Sequence, residues 1–207
     1  MKSVISLIGS LLILTLLSCE KRVVGKYWLN QSKVSDAFNF EKSITRSVEK
    51  IEQIAFLSES VFPKIDEFEI AQPLIFKRSN NEFLTLHTEY FFSEKDSILR
   101  YISYDWEKER YSSYQQKSQM WKIESKKLDL YVFEYEKIKS ELMGELGIPS
   151  FYDEIPLEVK KKNDTPSYSD TPTYSKETIW ENKRTYSKLN LIFGNQTYRI
   201  RFSHYWK

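Results

Sequence analysis

Few side chains in this sequence are equipped for chemistry. It holds two histidines, His87 and His204, and one cysteine, Cys19. A histidine beside a serine or an aspartate can act as a general base, so either is a candidate for hydrolytic work. Both also fall in stretches with strand character, where an ordinary strand or surface role is the expected one. No serine sits in a Gly-x-Ser-x-Gly elbow, and no glycine cluster could cradle a phosphate. A lone cysteine rules out a disulfide framework and any multi-cysteine zinc or iron–sulfur site, and two histidines rule out an imidazole-rich metal site. Asp66, Glu67 and Glu69 make an acidic turn that lacks the alternating oxygen ligands and central glycine of a calcium loop. Lys160-Lys161-Lys162 is a short basic run that suits anionic lipid or plain solvent. Lys and Arg total 31 against 29 for Asp and Glu, a formal net charge of +2, so there is no long-range field for nucleic acid. No cofactor is expected.

The cysteine has a particular setting. Behind Met1-Lys2-Ser3 an apolar run extends from Val4 to Leu17. As a helix it would be about 21 Å long, short of the ~30 Å core of a bilayer, and it has the form of a secretory h-region behind one positive charge. It closes on Leu16-Leu17-Ser18-Cys19. This resembles the lipobox of bacterial lipoproteins. The resemblance implies cleavage before Cys19, diacylglyceryl transfer to its sulfur and acylation of the freed amine. Residues 1–18 would then be a signal peptide and residues 19–29 a short tether, with the globular part in 30–207. Two or three acyl chains anchor durably, since each buried CH₂ contributes ~0.8 kcal/mol and one chain alone is marginal. Membrane lipid, reached through acylated Cys19, is therefore one expected partner. Glu20 is not the aspartate that retains some lipoproteins at the inner membrane, which points to the periplasmic side of the outer membrane.

The elements that must position any site follow from periodicity. Phe40, Ile44, Val48, Ile51 and Ala55 share a helical face, predicting a helix over roughly 36–57. Apolar runs at Leu74–Arg78, Glu82–Phe92 and Ser97–Trp106, separated by Ser79-Asn80-Asn81 and Ser93-Glu94-Lys95-Asp96, predict an antiparallel meander. Tyr131, Tyr135, Ile138, Leu142 and Leu146 predict a second helix, stopped by Gly147 and Pro149. Its start lies anywhere between Ser113 and Asp129. A short strand is expected in Ile155–Lys161.

Then comes a tandem hexapeptide, Asp164–Ser169 and Asp170–Ser175, read as Asp-Thr-Pro-(Ser/Thr)-Tyr-Ser twice. Its prolines and hydroxyls predict an extended surface loop presenting Tyr168 and Tyr174. A strand is expected around Ile179-Trp180. Gly194-Asn195 predicts a two-residue type II′ turn pairing Leu191 with Tyr198 and Leu189 with Ile200. That register sets Lys188, Asn190, Arg199 and Arg201 on the outward face, as a small basic patch or the wet side of an amphipathic sheet. The class is α+β: antiparallel sheet with two main helices on one face, in the order α-βββ-α-βββ(β) after the signal helix. Two α-βββ halves, 30–110 and 111–207, are one reading of that order.

Leu142, Leu146-Gly147-Ile148-Pro149, Trp180 and the terminal hairpin resemble envelope modules of the β-lactamase-inhibitor-protein type. This implies a helix, a Leu-Gly-x-Pro turn and an antiparallel sheet that works by binding another protein. The expected function is therefore a lipid-anchored cell-envelope protein of the binding, accessory, inhibitor or immunity type, not an enzyme, with another envelope protein as its partner. Its candidate contacts are Lys188, Arg199, Arg201, Tyr168 and Tyr174. A membrane-anchored hydrolase with His87 or His204 as base is the alternative, and a purely structural lipoprotein is a third reading.

Overall fold

The computed structural model describes residues 26–44, 48–78, 83–108, 114–159, 172–194 and 197–207. Cys19 with the whole lipobox, Lys160–Lys162, Tyr168 and most of the hexapeptide repeat lie outside the described residues. In chain order the elements are α1 (Val34–Ile44), β1 (Val48–Ile51), a 3-10 turn (Ile65–Glu67), β2 (Leu74–Arg78), β3 (Thr85–Phe92) and β4 (Leu99–Glu107). There follow α2 (Tyr114–Glu124), α3 (Leu128–Leu146), β5 (Phe151–Tyr152), β6 (Leu157–Glu158), β7 (Tyr174–Glu181), β8 (Thr185–Gly194) and β9 (Thr197–Trp206). All strands join one antiparallel sheet in the order β1-β2-β3-β4-β9-β8-β7-β5, with β6 also on β7. The chain is thus α+β, mostly antiparallel sheet. The meanders β2-β3-β4 and β7-β8-β9 meet through their last strands, with Ser103 opposite Ser203.

Strand alternation gives the sheet two faces. On one, Leu86, Tyr90, Ile102, Tyr104, Trp106, Leu189, Leu191, Ile200 and Phe202 form the main core with Ala37 of α1 and Tyr131, Tyr135, Ile138 and Leu142 of α3. Four of the five apolar positions that predict the second helix are buried, and Leu146 packs at the margin. Gly147 closes α3 at φ +82°, a left-handed conformation that glycine adopts without steric cost. On the other face Phe91 and Tyr101 are covered by Phe62, which is fully buried, and by Leu57, Val61, Ile65, Phe68 and Ile70.

That second cover corrects the first predicted helix. α1 ends at Ile44, and Val48–Ile51 is an edge strand, with Val48 opposite Arg78 and Ile51 opposite Ile75. A spacing of three and four fits a helix, but the β-branched residues find main-chain partners on β2, which the sheet supplies and local periodicity does not reveal. Ala55 then falls in the covering segment. Tyr27, expected in the tether, is buried against Tyr104 and Trp106.

The terminal hairpin is corrected by two residues: Leu191 faces Ile200, Leu189 faces Phe202 and Asn190 faces Arg201. Gly194 pairs with Thr197, so it is the last residue of β8 rather than half of the turn. Its φ is +124°, and a Cβ there would stand 2.6 Å from the Pro172 carbonyl oxygen. Close approach of the neighbouring chain therefore explains this glycine. A shift of two preserves the faces, so Leu191 and Ile200 are buried as predicted. Tyr174 is not on a loop: it opens β7 opposite Phe193 and packs on the main core. The strand expected in Ile155–Lys161 is realised only as Leu157–Glu158, with residues 160 and 161 outside the described set.

An ion pair is sealed between α1 and β2. The Glu41 carboxylate, with no exposed surface, accepts from Arg78 Nε at 2.8 Å and Nη2 at 2.6 Å, and from the Tyr90 hydroxyl at 2.5 Å. Burial works against the Arg78 charge, but the hydrogen bonds and charge of Glu41 outweigh it and raise its pKa above the usual range. Removing one member of such a pair strands the other, at about 3–5 kcal/mol, whereas replacing both with apolar groups is often close to neutral. Glu41→Ala is expected to lose about 3–5 kcal/mol in urea denaturation, and Glu41→Leu with Arg78→Met to recover most of that loss.

Candidate functional site

Two coverings of unequal reach create the site. β3 and β4 are buried on both faces, whereas β8 and β9 alternate buried and half-buried residues, because the 52–73 segment shields only part of the second face. The uncovered part is a groove of about 280 Å³. Its floor is made by Lys188, Asn190 and Ile192 of β8 with Arg199, Arg201 and Ser203 of β9, and its wall by Ser60, Val61 and Pro63. Tyr186 and Tyr205 close one end as a cross-strand stacked pair, ring centroids 5.1 Å apart at 25°. Tyr205 leans in turn on the buried Phe62 at 5.4 Å, so the aromatic end is fixed from behind.

The structure brings together Lys188, Arg199 and Arg201 of the predicted basic patch, but it spends two of the three charges. Arg201 grips the fully buried Asp105 of β4 through Nε at 2.8 Å and through Nη2. Burial opposes its charge, while Asp105 more than offsets this and raises the guanidinium's pKa. Lys188 Nζ lies 2.6 Å from Glu177 on β7. Arg199 makes no ion pair or hydrogen bond among the described residues, and its Nε is buried without a partner. The patch is therefore a polar and aromatic groove with one guanidinium that has no ion pair among the described residues, less basic than the sequence suggests. Arg201 belongs to the framework. Tyr174, on the other face, is no part of this groove.

The histidines are placed apart from it. His204 Nδ1 is 2.7 Å from the Ser187 hydroxyl, the geometry a serine nucleophile and its base would show. Both residues are 1% exposed, on the helix-covered face, with Trp206 at 4.9 Å edge-on to the imidazole. A substrate carbonyl has no route to that hydroxyl, and the pair is a core contact in which His204 Nε2 is buried without a partner. Burial lowers the His204 pKa to about 4. His87 is buried in β3, with Nδ1 3.7 Å from Glu107. Among the described residues no group of His, Cys, Asp or Glu is arranged to hold a metal ion, and no helix is long and apolar enough to cross a membrane.

Sequence reasoning missed Asp105, Glu177 and the Ser60–Pro63 wall. Asp105 has no local signal, because its partner lies far along the chain and is fixed only by the β4–β9 register. Comparison of the chain with protein-family models, curated proteins and solved structures found no match.

Three outcomes follow from this geometry. Arg201→Ala leaves Asp105 buried and unpaired and is expected to cost about 3 kcal/mol in chemical denaturation. Arg199→Ala stays within about 0.5 kcal/mol. His204 binds its proton less readily folded (about 4) than unfolded (~6.5), so the unfolded state carries the extra proton between those values. Its contribution is complete above about pH 6.5 and falls by about 3 kcal/mol as pH drops through 4. Denaturation curves at pH 7 and pH 4.5 are expected to differ by less in His204→Phe than in the wild type.

Proposed function

We propose that the chain is a lipid-anchored bacterial cell-envelope protein that acts by binding another envelope protein through the open face of β8 and β9. The observation that carries the binding half is the groove itself: Arg199, which makes no ion pair or hydrogen bond among the described residues, lines one end, and a braced tyrosine pair closes the other. Arginine and tyrosine are the side chains that dominate interface energetics, and a rigid aromatic costs little entropy to engage. The lipid half rests on Leu16-Leu17-Ser18-Cys19, with delivery to the periplasmic side of the outer membrane as the accompanying expectation. The meeting of β2-β3-β4 and β7-β8-β9 through their last strands is the order expected of two α-βββ halves, and it supports that reading of the domain. The hydrolase reading is the weaker one, since its Ser187–His204 pair has no opening to solvent.

Cys19→Ala is expected to remain an uncleaved precursor and to leave the acylated membrane fraction. Cleavage and membrane fractionation unchanged from wild type would remove the lipid half of the proposal. For the binding half, a photo-crosslinking residue at Ile192 is expected to capture one discrete partner in cells, and Lys188→Ala with Arg199→Ala to abolish that product at unchanged stability. An adduct that survives the double substitution would place the contact elsewhere.

A further inference from the structure

One flank of the sheet displays far more apolar surface than its position explains. Between Gly147 and β7 the chain runs Ile148–Val159 along the outer edge. Ile148 is 89% exposed, Ile155 66% and Leu157 53%, with Phe151, Tyr152 and Val159 about half exposed. Scattered exposed apolar residues are normal, but six within twelve consecutive residues along one edge mark an interaction site.

The backbone that carries them is pinned. Trp180 Nε1 donates to the Gly147 carbonyl at 2.9 Å, and the Ser150 N–H donates to the Ile179 carbonyl at 2.8 Å. The Glu177 N–H donates to Asp153 Oδ2 at 2.8 Å. Lys176, 2% exposed, reaches out to the Glu154 carbonyl at 2.5 Å while pairing with Glu136 at 2.9 Å. A buried lysine spent on holding a loop keeps these side chains turned outward.

The place where the described chain begins indicates what would cover them. Lys26 Nζ is 3.1 Å from Glu141 of α3, and the Tyr27 hydroxyl donates to the same carboxylate at 2.6 Å. Glu141 lies about two helical turns before Gly147, roughly 10 Å along the axis. Cys19 is seven residues from Lys26, at most about 25 Å of extended chain. Acyl chains on Cys19 would therefore hold the bilayer within a short reach of the end of α3, where the apolar segment starts. Ile54 and Phe56, also exposed, follow β1 at the opposite edge, and Ile123, Leu130 and Phe133 are exposed on α2 and α3.

We infer that the Ile148–Val159 flank docks on the surface of the anchoring membrane, inserting its apolar side chains among phospholipid headgroups. This rests on the lipid anchor proposed above. Asp153, Glu154 and Glu158 are matched in number by Lys160-Lys161-Lys162, which follow in sequence, and Lys139 beside Tyr152 is paired with Glu136, so the flank carries no excess of positive charge. The surface it fits is zwitterionic, and binding is apolar rather than electrostatic. Docking would fix the protein's tilt and leave the β8–β9 groove turned to the periplasm.

The test uses the acylated full chain in phosphatidylcholine vesicles, carrying an environment-sensitive label at Ile148→Cys, Leu157→Cys or Phe56→Cys, all exposed positions. The expected result is a blue shift at 148 and 157, quenching by brominated lipid and loss of quenching by aqueous iodide, with the label at 56 remaining in water. Labels at 148 and 157 as open to iodide as that at 56 would overturn the docking. So would iodide protection without quenching by brominated lipid, which would put a second copy, another stretch of the chain or another protein on the flank. Mass spectrometry of Cys19 separates the two failures. An unmodified thiol brings down the anchor and this inference with it, whereas acylated Cys19 with water-exposed labels brings down the docking alone.

Discussion

A carboxylate with no exposed surface must find a cation or unfold its surroundings, and Glu41 finds one only when three distant parts of the chain are already in place. Arg78 ends β2, Tyr90 lies on β3, and Glu41 itself comes from α1. The two hydrogen bonds from Arg78 match the planar fork of the guanidinium to both carboxylate oxygens, which is the arrangement that best offsets the loss of water. The third amino group of Arg78 donates to the Lys26 carbonyl at 2.8 Å, and the Tyr104 hydroxyl accepts from the Trp28 N–H at 2.6 Å. A single buried charge pair thus fixes the seat of α1, the edge of the first meander and the path by which the chain joins the domain. No apolar contact could be so selective, because burial is indifferent to which residue fills the space.

The same rule governs the second meander. Asp105 is as fully buried as Glu41, and Arg201 reaches it across the β4–β9 junction. These two fully buried acids are each answered by an arginine on a neighbouring element, once between helix and sheet and once between the two meanders, whereas the buried Glu124 is met by Lys127 and Tyr131. The candidate site inherits this logic. Arg201 cannot serve a partner without abandoning Asp105, and Lys188 would have to leave Glu177. What remains is Arg199, flanked by Asn190 and Ile192 and facing a wall that the 52–73 segment happens not to extend. Recognition there would depend on shape and on one well-placed guanidinium, because the surrounding charges already compensate one another.

Elements whose signals are local were legible in the sequence. The second helix, its Gly147 stop, the strands β2, β3 and β4, and the inward set Leu189, Leu191 and Ile200 all follow from spacing within a dozen residues. Signals completed by distant chain were not. The apolar ladder through Val48 and Ile51 has helical spacing, and only the presence of β2 makes it a strand. Gly194 looks like a turn residue, but its lack of a Cβ makes room for Pro172 and Thr173, which belong to another strand's approach. At the site, Lys188, Arg199 and Arg201 were legible as one outward face because alternation survives a register shift of two. Their inequality was not, because it depends on Asp105 and Glu177, which only the assembled sheet brings alongside them.

The route from the first described residue into the domain bears on what an anchor at Cys19 would do mechanically. Lys26 is held twice, through its side chain by Glu141 and through its carbonyl by Arg78, and Tyr27 is buried immediately after it. A tether that ended in a loose loop would let the domain tumble about the attachment point. Here Lys26 and Tyr27 are both fixed, so a pull from an anchor at Cys19 would be delivered to α3 and to the Glu41–Arg78 pair at once. Orientation then becomes a property of the fold. With the anchor proposed at Cys19, the flank beside the attachment would lie toward lipid, while the uncovered half of the sheet lies on the face opposite α3, open to a partner. Under that proposal the buried Tyr27 and the half-covered sheet would act as one device, in which the same buried charges that hold the domain together would also determine which way it faces.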